Sequence, residues 1–209
     1  MEGWAFVVDR VAAALRAGAY EIEGRSEPPA FSRLVGAGFS LGAMVILATQ
    51  SAFGTFDAIV PAGWSHGGGS DAGTRCVCFD DCPDKGFRYF HAPNADPAVV
   101  DEILALSVEE MAAYAALSFG FWAAEGCSSE RSARLFSEAD FIRVPVLALL
   151  GREDFWFDRE GMEHEASFYR GTADVELILF DDTGHHLFHH RNSDAVHGKI
   201  AEWLTARGF

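Results

Sequence analysis

A Gly-x-Ser-x-Gly pattern is the strongest chemical feature of the sequence. It reads Gly38-Phe39-Ser40-Leu41-Gly42 and lies between a short apolar segment and an alanine-rich one. Small residues beside a serine suit a strained turn from a strand into a helix, where the neighbouring chain passes close. Such a turn lifts the hydroxyl to the helix N-terminus, where the Leu41 N–H can point at an oxyanion. The pattern predicts Ser40 as a nucleophile and Leu41 as an oxyanion donor; the alternative is a plain turn serine.

A serine nucleophile needs a base, and that base must be oriented by a carboxylate. Asp154 follows the apolar segment 144–150, and His185 follows the apolar segment 175–180. Both residues are therefore expected on loops at the carboxyl ends of strands, beside Ser40. We predict that Asp154 orients His185 and that His185 is the base.

Other residues compete for these two roles. Glu153 and Asp158 are alternatives for the acid, and three further histidines are close to His185 in sequence, namely His186, His189 and His190. Histidine is also a common zinc ligand, but the histidine-rich stretch 185–190 flanks a loop and is not accompanied by a carboxylate motif. The cysteines at 76, 78 and 82 lack a paired Cys-x₂-Cys half. No metal and no cofactor are expected.

The segments that must hold the three residues alternate between helix and strand patterns. Apolar spacing of three and four residues predicts an amphipathic helix over 4–17, with Trp4, Val7, Val8, Val11 and Leu15 on one face, and a last helix starting near Ser193. Strands are predicted from Phe31 towards Ser40 and over 56–62, 144–150 and 175–180. Strands that are apolar on both faces indicate a parallel sheet covered by helices on both sides. The predicted fold class is α/β.

The middle of the chain has no strand pattern of its own. It contains a Gly-rich loop, three cysteines, an aromatic stretch and helical patches. We predict that 66–139 is a helical cap inserted into a core formed by 1–65 and 140–209.

Three segments resemble the α/β-hydrolase fold superfamily: GFSLG, VPVLALLGREDFWF, and TGHHLF before the terminal helix. The order Ser, Asp, His along the chain is also the order in that fold. The resemblance implies a mostly parallel sheet and a serine hydrolase with Ser40 as nucleophile, Asp154 as triad acid and His185 as base. Complete members have several strands before the serine turn, and one of their loops gives a second oxyanion donor. The resemblance therefore also implies an open edge on the Ser40 strand, which a homo-oligomer could cover.

Aromatic residues near the three sites predict a pocket for a hydrophobic acyl substrate. The expected contacts are Phe39, Trp64, His66, Phe155 and Trp156, with packing in the core as the alternative for each. The expected reaction is hydrolysis of a small to medium hydrophobic ester, thioester or lactone. The alternative is a hydrolase-like domain that binds a ligand or partner without turnover.

Charge and hydropathy exclude other classes of function. The chain has 31 acidic and 16 basic residues, a net charge of −15, which opposes binding to nucleic acid or anionic membranes. No apolar run approaches the roughly 18 residues of a spanning helix. With four cysteines and no signal-peptide pattern, the expected location is the cytoplasm.

Overall fold

The computed structural model describes residues 2–70, 94–104 and 138–209. Most of the predicted cap, including the three clustered cysteines, lies outside these residues. The division into core and cap therefore stays a prediction.

The described helices and strands alternate along the chain. The helices are α1 Glu2–Ala17, α2 Leu41–Phe53, α3 Pro97–Leu104, α4 Arg159–Glu163 and α5 Ser193–Ala206. The strands are β1 Val35–Phe39, β2 Ala58–Ala62, β3 Val146–Gly151 and β4 Val175–Phe180. Single 3₁₀ turns cover Glu138–Phe141, Glu165–Phe168 and Leu187–His189.

The four strands form one sheet in the order β1-β2-β3-β4, and all three pairings are parallel. The register pairs Phe39 with Ala62, Ala62 with Leu149, and Gly151 with Phe180. The carboxyl ends of all four strands therefore lie along the same edge of the sheet. The loops that follow β1, β3 and β4, which carry the predicted chemistry, leave from this edge.

Alternate side chains of the central strands enter two different apolar layers, as a period of two requires. Val146 and Leu150 of β3 pack in the layer formed with α2, and Leu147 and Leu149 pack in the layer that contains Trp203 of α5. Every residue of β2 and β3 is buried. The predicted α/β class with helices on both faces of a parallel sheet is confirmed.

Three strands begin later than the apolar runs suggested, and at β1 and β2 a residue before the strand has another hydrogen-bond partner. Strand β1 begins at Val35, and the preceding Leu34 N–H donates instead to Asp57 Oδ2 at 2.8 Å. Strand β2 begins at Ala58, since the Phe56 N–H donates to the Gln50 side chain at 2.7 Å. Strand β3 begins at Val146, two residues after the predicted start.

Helix α1 packs on α2 through only part of the apolar stripe that its spacing predicted: Val8 and Leu15 are half-buried, and Val8 packs against the core. Its buried residues are Ala5 and Ala12, whereas Trp4, Val7 and Val11 are each more than half exposed.

Strand β1 has one partner strand, β2, among the residues that the structure describes. None of the helices in these described segments is long and apolar enough to cross a membrane.

Candidate active site

Ser40 lies in the turn between β1 and α2 in a strained backbone conformation. Its φ of 52° and ψ of −117° are unusual for a residue with a side chain, at a typical cost of about 1–3 kcal/mol. The Ser40 N–H donates to the Ala62 carbonyl at 2.8 Å, and its carbonyl accepts from the Ala43 N–H at 2.9 Å. Bonds to the neighbouring strand and to the helix therefore hold the turn from both sides.

The two glycines around Ser40 have different reasons to be glycine. A Cβ at position 38 would lie 2.3 Å from the Gly42 carbonyl oxygen, so β1 and α2 can approach this closely only without a side chain there. Among the described residues beyond its own helix turn, a Cβ at position 42 would meet nothing within 4 Å. The expectation that close packing requires small residues is confirmed at Gly38, whereas no described neighbour requires a glycine at position 42.

The structure brings Ser40, His185 and Asp154 into one hydrogen-bonded line. His185 Nε2 lies 2.9 Å from Ser40 Oγ, and His185 Nδ1 lies 2.8 Å from Asp154 Oδ2. The side chains of His185 and Asp154 are 4% and 0% exposed. With Nδ1–H donating to the carboxylate, Nε2 is left to accept the proton of the serine hydroxyl.

Asp154 is held on a tight loop after β3. Its N–H donates to the Gly151 carbonyl at 3.1 Å, and its Oδ1 accepts the Trp156 N–H at 2.9 Å. The carboxylate thus has one oxygen on the backbone and the other on His185. Of the alternative acids, Glu153 is exposed, and Asp158 is exposed and caps α4 by accepting the Gly161 N–H.

The histidines that follow His185 have other surroundings. Burial, with a smaller contribution from the positive charge of the neighbouring histidines, lowers the pKa of His186 to about 3. Burial also lowers the pKa of His189. The third, His190, is buried and bonded to backbone groups. Among the hydrogen bonds of the described residues, those of His185 join a carboxylate to the serine.

Leu41 is the first residue of α2. The first N–H groups of a helix have no acceptor within it, and they lie at the positive end of the helix dipole. The Leu41 N–H follows Ser40 directly, at this end of the helix. Its role as an oxyanion donor stays a prediction.

The predicted substrate contacts fall into two groups around His185. The rings of Phe39 and Trp156 are centred 5.1 and 6.1 Å from the imidazole, and Phe155 packs on Trp156 at 4.6 Å. Trp64 lies one layer further away, with its ring edge-on to Phe157, which is itself 6.1 Å from His185. These aromatic rings place apolar groups around the imidazole of His185.

His66 occupies a buried position with a partner that the sequence did not reveal. Its Nδ1 lies 2.6 Å from Glu165 Oε1, and its backbone N–H donates to Glu165 Oε2 at 2.7 Å. Both side chains are at most 1% exposed. Burial and the adjacent Glu165 carboxylate raise the pKa of Tyr169 well above its ordinary value. Glu165 is 99 residues from His66 and belongs to no motif, so no local signal could have paired them.

No protein-family model matches the chain, and no curated protein matches its sequence. Solved structures with a similar fold are numerous. The monoacylglycerol lipase of Paleococcus ferrophilus is 17% identical with a TM-score of 0.58, over 98% of this chain and 75% of that one. A thermophilic esterase from Thermogutta terrifontis is 18% identical with a TM-score of 0.56, over 83% of this chain and 65% of that one.

A third similar structure is 2-hydroxy-6-oxo-6-phenylhexa-2,4-dienoate hydrolase from Rhodococcus sp. strain RHA1. It is 18% identical with a TM-score of 0.57, over 79% of this chain and 62% of that one. The chain thus spans less than two thirds of the length of two of these three proteins. Its fold is the α/β-hydrolase fold, as the sequence motifs predicted.

Proposed function

We propose that the protein is a serine hydrolase that cleaves a small to medium hydrophobic ester, thioester or lactone through an acyl-serine intermediate. The observation that carries this proposal is the continuous line of hydrogen bonds from Ser40 through His185 to Asp154. The strained backbone at Ser40 supports it, because such strain persists only where the surrounding structure holds it and is concentrated at functional sites.

In the proposed mechanism, His185 Nε2 takes the hydroxyl proton as Ser40 Oγ attacks the substrate carbonyl. The Leu41 N–H donates to the oxyanion that forms, and Asp154 stabilises the imidazolium. The leaving group takes the proton from His185 as the carbonyl re-forms. Water, deprotonated by His185, then attacks the acyl-Ser40 ester, and the acid product leaves with Ser40 reprotonated.

The aromatic rings around His185 favour a substrate with a hydrophobic acyl group. Phe39 and Trp156 flank the base, and burial of apolar substrate surface against such rings contributes about 25 cal/mol per Å². Two similar structures are described as a lipase and an esterase, which supports an ester substrate for this chain. Direct contacts from Trp64, His66 and Phe155 stay predictions.

A fluorophosphonate probe tests the proposal, because it forms a covalent bond only with an activated serine. We expect intact-mass analysis to find one probe per chain, no labelling in Ser40→Ala, and full labelling in the matched control Ser51→Ala at the far end of α2. Hydrolysis of short-chain p-nitrophenyl esters should disappear in the same variant. An unlabelled but folded wild-type protein would refute the proposal.

A non-catalytic binding module is the second candidate. It is favoured by the single partner strand that β1 has among the described residues and by the exposed apolar residues Trp4, Val7 and Val11 on the adjoining helix. Self-association over this edge stays a prediction. A folded protein without labelling that forms a dimer in light scattering would support this candidate.

A further inference from the structure

His190 is a buried histidine directly before the loop into α5. It is 2% exposed, and both of its ring nitrogens are bonded to backbone groups. Nε2 accepts the Gly184 N–H at 3.0 Å, and Nδ1 lies 2.8 Å from the His186 carbonyl oxygen. Gly184 and His186 are the two neighbours of His185. One imidazole ring therefore holds the chain on both sides of the proposed base.

These two bonds define one form of the His190 ring. A carbonyl oxygen can only accept, so Nδ1 carries the proton, and an N–H can only donate, so Nε2 must be unprotonated. The neutral Nδ1–H tautomer satisfies both groups at once. No other common side chain presents a donor and an acceptor on a rigid ring at this separation.

The surrounding chain fixes His190 in turn. His190 forms a bridge with Ala95, and the flanking residues add two backbone bonds, from the Asp96 N–H to the His189 carbonyl at 3.2 Å and from the Arg191 N–H to the Asn94 carbonyl at 3.0 Å. Through its ring on one side and its backbone on the other, His190 thus connects the His185 loop to a segment more than 90 residues earlier in the chain. Two different parts of the fold meet behind the proposed base.

We propose that His190 is a positioning residue, which holds the His185 backbone so that the imidazole reaches Ser40 and Asp154 together. The inference rests on the proposed function. It differs from a general packing role, because a ring of the same size without nitrogens would fill the space and leave both backbone groups unpaired. Misplacing a catalytic group by about 1 Å can cost about 10²-fold in rate.

Three substitutions separate hydrogen bonding from packing. His190→Phe keeps a ring and removes both bonds. His190→Gln offers an amide oxygen at about the reach of Nε2, and His190→Asn offers an amide donor at about the reach of Nδ1. His197→Gln is the matched control, since His197 is an exposed histidine on α5.

We expect His190→Phe to lower kcat for a p-nitrophenyl ester by about 10- to 100-fold, with KM nearly unchanged. The rate of fluorophosphonate labelling of Ser40 should fall by the same factor. His190→Gln should recover most of the loss, and His197→Gln should equal the wild type. If His190→Phe does not fold, the comparison of His190→Gln with His190→Asn still tests the proposal. His190→Asn should have the lower kcat of the two, because it leaves the Gly184 N–H unpaired.

Wild-type kcat in both His190→Phe and His190→Asn would overturn the inference and leave the proposed function intact. Equal loss in the Gln and Phe variants would also overturn it, since the Gly184 bond would then not matter. A readout without substrate separates the two proposals further. The proton shared by His185 Nδ1 and Asp154 should give a low-field NMR signal in the wild type that is lost in His190→Phe, even if the wild type proves inactive.

Discussion

His185 Nδ1 lies 2.8 Å from Asp154 Oδ2 although the residues are 31 positions apart. The loops after β3 and β4 meet because the two strands end in register, and the Glu153 N–H donates to the Thr183 carbonyl at 2.9 Å between them. Gly151 allows this approach: a Cβ there would lie 2.2 Å from the Thr183 oxygen. The loops of Asp154 and His185 are therefore joined by a backbone hydrogen bond as well as by the hydrogen bond between the two side chains.

Removing the charge of Asp154 should lower the catalytic rate far more than the free energy of unfolding. Asp154→Asn keeps the shape but offers His185 Nδ1 a partner that disfavours the productive tautomer, so we expect kcat to fall by about 10³–10⁴-fold. Ester hydrolysis under saturating substrate measures this loss. Asp158→Asn is the control: it alters the α4 cap, should lower the unfolding free energy by less than about 1 kcal/mol, and should leave kcat unchanged. Equal activity of the two variants would contradict the assignment of the acid.

The two glycines of the serine turn should respond in opposite ways to the same methyl group. Gly38→Ala puts a Cβ against the Gly42 backbone, so we expect it to lower the unfolding free energy by about 1–3 kcal/mol and to reduce fluorophosphonate labelling. Gly42→Ala is within a helix and meets no described neighbouring segment, so it should raise that free energy by up to about 1 kcal/mol. Denaturant unfolding of both variants measures the difference. A tolerated Gly38→Ala would show that the turn is looser than the structure has it.

The buried pair of His66 and Glu165 should matter to stability. Glu165→Ala leaves His66 without its partner in the interior, and breaking a buried pair of this kind costs about 3–5 kcal/mol. Urea unfolding should show this loss, while Glu160→Ala, at an exposed site on α4, should change the free energy by less than about 0.5 kcal/mol. A loss below 1 kcal/mol would mean that water compensates the pair.

His186 should make the protein less stable in acid. Its pKa is lowered to about 3 by burial, from an ordinary value of 6.5, so between these pH values the unfolded chain binds a proton that the folded chain does not. This contribution to stability is fully present above about pH 6.5 and is lost as the pH falls towards 3, with a slope of up to about 1.4 kcal/mol per pH unit.

Unfolding free energies measured from pH 7 to pH 4 should therefore have a smaller slope in His186→Gln than in the wild type. His197→Gln, at an exposed position, should keep the wild-type slope. An unchanged slope in the His186 variant would show that its ring is hydrated in the folded protein.

Local patterns predicted much of this protein. The GFSLG turn, the two apolar strands and the residues just after them are short-range signals, and parallel strands place their following loops at one edge of the sheet. These signals predicted the α/β class and the roles of Ser40, Asp154 and His185, and the resemblance of three segments added the α/β-hydrolase fold. They failed in part on α1, where Val8 is half-buried as predicted but Trp4, Val7 and Val11 are exposed, because periodicity shows that a face exists but not what covers it.

The sequence by itself determined which residue types could do chemistry and on which loops they lie. Only the tertiary structure decided that His185 and not a neighbouring histidine joins Asp154 to Ser40, that Glu165 pairs with His66, and that His190 holds the backbone around His185. Each of these relations depends on the direction of a side chain and on contacts between distant segments. Hydrogen bonds over 2.6–3.0 Å are decided by such geometry, which residue type and spacing do not specify.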